Sequence, residues 1–92
     1  MEQAESTVQI ENELIRVTEW RLAPGTSTGH HRHEHDYVVV PIVGGRLTLV
    51  DSSGEHPADL APGKSYAREK GVEHNVLNSG EQVVIFIEIE LK

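Results

Sequence analysis

Apolar residues in this chain never hold a helical period for as long as three turns, and Gly and Pro cut the sequence into short pieces. The pieces have strand composition. Leu14 to Leu22 (LIRVTEWRL) stops at Ala23-Pro24-Gly25, and Tyr37 to Val43 stops at Gly44-Gly45. Arg46 to Val50 alternates and runs into the hairpin loop Asp51-Ser52-Ser53-Gly54. Glu55 to Leu60 is a weaker strand, closed by Ala61-Pro62-Gly63. Lys64 to Arg68 is short and extended, Glu69 to Glu73 turns through Gly71, and His74 to Asn78 leads to the turn Ser79-Gly80-Glu81. Val83 to Leu91 (VVIFIEIEL) is a long alternating strand.

Many short strands with frequent turns predict an all-β sandwich or barrel, and the need to hide edges favours a closed or rolled barrel. The 92 residues make one domain over 1–92, with residues 1–13 a loose arm or an edge strand. A chain this short buries only about 60–65% of its unfolded surface, so a homodimer is expected, paired through the arm or an edge strand. The chain has no cysteine, so any metal must take nitrogen and oxygen ligands. Fifteen acidic against eight basic residues give a net charge of -7, which argues against nucleic acid and anionic membranes as partners. No apolar run approaches the roughly 18 residues that span a bilayer. The acidic start is unlike a signal peptide, so the expected location is cytoplasmic.

Residues 29–37 read GHHRHEHDY and hold four of the six histidines. If a strand through Tyr37 extends back to His31, then His31, His33, His35 and Tyr37 share one face, opposite Val38, Val40 and Ile42. Several imidazoles on a barrel wall need water, carboxylate or metal partners. His-x-His on a strand offers two ring nitrogens on one side, and His74, just past Gly71, is the better candidate for a third. His30 has the wrong parity, and His56 precedes Pro57 near a hairpin. His35 lines a pocket or sits on its rim. Asp36 has the wrong parity to supply a carboxylate.

The spacing of two motifs resembles the cupins, small β-barrels of the jelly-roll type. Residues 25–44 run Gly25, five residues, His31-Arg32-His33, three residues, Tyr37, six residues, Gly44. Residues 63–78 run Gly63, five residues, Glu69-Lys70-Gly71, two residues, His74, three residues, Asn78. Tyr37 stands where the family usually has a Glu ligand, and Glu69 stands in place of Pro. The wording HRHEHDYVVVP with GVEHNVLN resembles a subgroup of tiny single-domain cupins, some of them labelled with β-alanine degradation. The resemblance implies a double-stranded β-helix and a site of His31, His33 and His74 holding one divalent ion, with Fe, Zn, Ni and Mn all open. Tyr37 becomes a phenolate ligand or, the favoured role, a hydrogen-bond donor or proton carrier beside the ion.

Tyr66, Phe86 and Glu88 are further candidates for the pocket lining. Which face of the last strand points inward stays open, and the plainer reading makes Glu88 and Glu90 surface charges. Trp20 reads as core or dimer interface. Gly25, Gly44, Gly63 and Gly71 read as turns or close approaches, and Asn78 as a residue that hydrogen-bonds a turn. Two classes of function follow. One is a metal-dependent enzyme on a small molecule, of dioxygenase, isomerase or lyase type, with Tyr37 handling a proton. The other is a module that holds a metal or small ligand without turnover, or a structural dimer with a vestigial site.

Overall fold

The computed structural model describes residues 1–92. Every regular element is a strand: β1 (Glu2–Gln3), β2 (Glu5–Glu11), β3 (Ile15–Leu22), β4 (Thr26–Ser27), β5 (His31–Arg32), β6 (Asp36–Val43), β7 (Gly45–Asp51), β8 (Gly54–Leu60), β9 (Tyr66–Arg68), β10 (Glu73–Leu77) and β11 (Val84–Leu91). No helix is long and apolar enough to cross a membrane. One sheet runs β1-β4-β10-β7-β8, with β5 also paired to β10; the other runs β2-β3-β11-β6-β9. The all-β jelly-roll expectation is met, although the two sheets remain separate rather than joining in one closed barrel. The expected arm resolves into β1, parallel to β4, and β2, an edge strand antiparallel to β3.

Alternation sets the core. On β6 the odd residues Tyr37 and Val39 are buried, and on β11 the even residues Val84 and Phe86 are buried. They pack with Leu22, Leu47, Leu60, Val76 and Ala4 between the sheets. The Lys64–Arg68 segment is strand only from Tyr66, because Pro62-Gly63 and the turn after it carry the chain around a corner.

Two expected backbone positions have clear causes. A side chain at Gly44 would overlap the Leu60 carbonyl and come within 2.7 Å of Pro62 Cδ, so β6 and β7 can meet the Leu60–Pro62 corner only without a Cβ. Asn78 is fully buried; its amide donates to the Leu22 and Gln82 carbonyls at 2.8 Å each and accepts from the Gly80 N–H at 3.0 Å.

Candidate metal centre

β5 and β10 bring the first pair of histidines together. They pair antiparallel with His31 directly opposite His74, so the two side chains share a face. His33 arrives by another route. The chain leaves β5, bends at Glu34-His35 and enters the opposite sheet as β6. At the start of this crossing the backbone of His33 is clamped to the loop before His74. Its N–H donates to the Val72 carbonyl at 2.8 Å, and its carbonyl accepts from the Gly71 N–H at 2.8 Å. Gly71 takes φ +94° to make that contact, a conformation that favours glycine.

The premise of one continuous strand from His31 to Tyr37 is therefore corrected, although its conclusion for three of the four residues stands. His31, His33 and Tyr37 converge because two sheets meet there. His35 lies in the bend, half-buried and outside the cavity wall, so its place as a lining residue is withdrawn.

The Nε2 atoms of His31 and His33 lie 3.1 Å apart, and those of His33 and His74 lie 3.2 Å apart. All three ligand atoms fall within 4.8 Å of one another. Three nitrogens about 2.1 Å from one ion, at tetrahedral or octahedral angles, are spaced about 3.0–3.4 Å; the His31–His33 and His33–His74 pairs have that spacing, and an all-nitrogen donor set suits a divalent ion. The protonation pattern fits as well. His31 Nδ1 donates to the Gly29 carbonyl at 2.8 Å, which turns Nε2 toward the cluster. Burial, then the charges of His31 and His74, lower His33 to about 4. Burial, then His31 and Arg68, lower His74 to about 4. Both rings are neutral at pH 7, the form that binds metals.

Tyr37 stacks on His33 with ring centroids 3.8 Å apart and planes 17° apart. Burial first, and then Glu88, push its phenol well above the usual range, so it remains a proton-bearing donor. Glu88 corrects the surface-charge reading: it is 9% exposed and faces the cavity. Its Oε1 stands 3.9 Å from His33 Nδ1, too far for a direct hydrogen bond, and with His33 neutral this is no ion pair. Burial, then Glu90, raise Glu88 to about 7. Phe86 and Tyr66 line the cavity. Trp20 lines it too, beyond the core role expected of it.

The residues set aside stay outside. His30 pairs with Glu73 at 2.8 Å on the surface, and His56 bonds Ser53 and Asp51 in the β7–β8 hairpin. Asp36 accepts the Lys70 N–H at 2.8 Å, away from the cluster. The cavity itself is narrow, about 30 Å³ at the reach of a water molecule's centre, which is space for an ion with a few small atoms beside it. It shares Leu49, Ala58, Leu60, Tyr66 and Arg68 with an open outer groove along β8 and β9. Arg68 was not placed from sequence. The signal was present: Tyr66 faces inward, and the residue two further along a strand shares its face.

Two facing sheets with three imidazoles converging between them define a cupin with a candidate three-histidine metal centre. The match to the cupin domain model covers residues 18–90, and the chain belongs to that family. It is similar to the β-alanine degradation protein BauB of Pseudomonas aeruginosa, 52% identical over 90 residues that span 98% of this chain and 95% of that protein. It is also similar to the crystal structure of a cupin domain from Bordetella pertussis Tohama I, with TM-score 0.96 and 50% identity over 99% of this chain and 95% of that one. A structure described as a sugar phosphate isomerase from a cupin superfamily, from Silicibacter pomeroyi, matches with TM-score 0.65 and 30% identity over 87% of this chain and 52% of that one.

Proposed function

We propose that this cupin holds one divalent ion on His31, His33 and His74 and acts on a small organic molecule that enters from the β8–β9 groove. The observation that carries the reading is the convergence of three imidazoles, with His33 Nε2 3.1 Å from that of His31 and 3.2 Å from that of His74. Fe, Zn, Ni or Mn suits a nitrogen donor set of this kind. Bound there, the ion would supply Lewis-acid or oxygen-activating chemistry. The chain's own residues do the rest. The Gly29 carbonyl fixes the orientation of the His31 ring, Tyr37 keeps a proton available beside His33, and Val39, Leu47, Leu60 and Phe86 give the cavity apolar walls. The name of the Silicibacter pomeroyi relative supports testing isomerisation early. The name of the Pseudomonas aeruginosa relative supports screening β-alanine and molecules of its size.

Metal content of tag-free protein purified without chelator tests the reading, beside a His31→Ala/His74→Ala variant checked for native circular dichroism. About one equivalent of metal in the parent, lost in the variant, is the expected result. Iron then directs the search to oxygen consumption, and zinc or nickel to isomerisation or lysis. No metal in either protein after incubation with Fe, Mn, Ni and Zn salts overturns it. Stoichiometric metal without turnover on any screened substrate favours the second reading, a binding module, which the same three-imidazole geometry serves.

A further inference from the structure

One permanent positive charge lines the cavity. On β9, Arg68 stands opposite Tyr37 and Tyr66 opposite Val39, while Ala67 stands opposite Val38. Tyr37 and Val39 are the buried, inward residues of β6. Directly paired residues point the same way, so Tyr66 and Arg68 face the cavity. The Arg68 guanidinium carbon lies 5.6 Å from the centre of the Tyr66 ring, a cation–π contact that holds the head at the cavity mouth.

The arginine is held without a carboxylate. Of the chain's five arginines, Arg16, Arg21 and Arg46 bridge to acids at 2.8, 3.7 and 2.7 Å. Arg32 and Arg68 form no such bridge, and of the two only Arg68 lines the cavity. In a chain with nearly two acids for each base, a cavity arginine free of acid partners is a fork left open for an anion from outside.

We infer that Arg68 docks a carboxylate of the substrate, so that the site takes a small organic acid with its far end toward His31, His33 and His74. This names a substrate class for the function proposed above and rests on that reading for the metal end only. One guanidinium fork matches a two-oxygen monoanion, and a chain of net charge -7 repels multiply charged ligands. The walls between the two ends include Val39, Leu47, Leu60 and Phe86, which suit a methylene linker.

Trp20 is the only tryptophan and lines the same cavity, so its emission reports occupancy. Propanoate, propanamide and methyl phosphate are titrated into zinc-loaded and metal-free protein, with the Arg68 side-chain N–H resonance followed in parallel should the emission be silent. Propanoate is expected to saturate, and propanamide to bind about tenfold more weakly or worse. Arg68→Gln should erase that difference with an unchanged urea midpoint and unchanged zinc content, and Arg68→Lys should keep part of it. Equal binding of propanoate by Arg68→Gln and parent, equal binding of acid and amide by the parent, or tighter binding of methyl phosphate overturns the inference. An acid preference that depends on Arg68 in protein that takes up no zinc upholds it while overturning the three-histidine metal site. Zinc bound with no acid preference overturns it alone.

Discussion

Asn78 shows how much one side chain can carry in a small core. It satisfies two carbonyls and one N–H of residues up to 56 positions away in sequence. Asn78→Ala leaves those groups buried and unpaired, and a loss of roughly 2–4 kcal/mol is expected from urea unfolding. Glu88 makes a prediction about pH. Its carboxyl is raised by burial, then by Glu90, from 4.5 to about 7, so the folded chain holds the proton more tightly than the unfolded one. Its contribution to stability is complete below pH 4.5 and is lost as pH rises through 7, by at most about 3 kcal/mol. His33 and His74 act in the opposite sense. Both are lowered to about 4, chiefly by burial, so their contribution is present above pH 6.5 and is lost as pH falls through 4. The histidines are common to both proteins, so the comparison with Glu88→Gln isolates Glu88. In metal-free protein the variant should gain on the parent as pH rises from about 5 to 8. A gap that stays constant across that range would show that Glu88 ionises as freely in the folded chain as in the unfolded one.

Strands were legible wherever a face alternated. β3, β6, β7 and β11 follow their apolar patterns to within a residue or two, and Pro24-Gly25 and Pro62-Gly63 mark real corners. What could not be read was the change of sheet between β5 and β6. The four residues across it, His33 to Asp36, contain no Gly or Pro, so nothing local announces a bend. The bend exists because His31 pairs with β10 while Tyr37 pairs with β9 and β11, and those partners are decided by the whole fold. Glu88 escaped for a related reason. The odd face of β11 carries only Ile85, Ile87, Ile89 and Leu91, while the inward even face carries Glu88 and Glu90 beside Val84 and Phe86, so alternation alone points to the wrong face. The β6–β7 corner yields its own test. Gly44→Ala must displace Pro62 or the Leu60 carbonyl, and a loss of about 1–3 kcal/mol in urea unfolding is expected. An unchanged midpoint would mean that the corner yields freely.

The whole molecule buries only 17 of 92 residues, a thin core for its length, and leaves an apolar face uncovered. On the outer side of the five-stranded sheet, Val38 and Val40 of β6 stand beside Ile89 and Ile87 of β11, with Ile42 51% exposed near them. On that face Glu19 and Arg21 bridge at 3.7 Å, and the remaining charges, Glu5 opposite Arg21 and Asp36 opposite Leu91, lie at strand ends away from its apolar centre. Next to it β2 is exposed along its full length and leaves one edge unpaired, with Val8 and Ile10 about half exposed. The three eight-residue strands β3, β6 and β11 with the seven-residue β2, about 4.8 Å apart, present a footprint of roughly 500 Å². Doubled across a two-fold axis, it reaches the roughly 1,000 Å² that a stable interface needs. An apolar centre is complementary to itself, so a homodimer, if formed, is predicted to join two copies through this sheet, with the histidine centre on the far side of each. Light scattering should give twice the chain mass of 10.2 kDa. Ile87→Lys places a charge in the middle of the face and should return the mass to one chain, with metal content retained. A parent that scatters as a monomer at tens of micromolar, or an Ile87→Lys variant that stays dimeric, would remove this face as the interface.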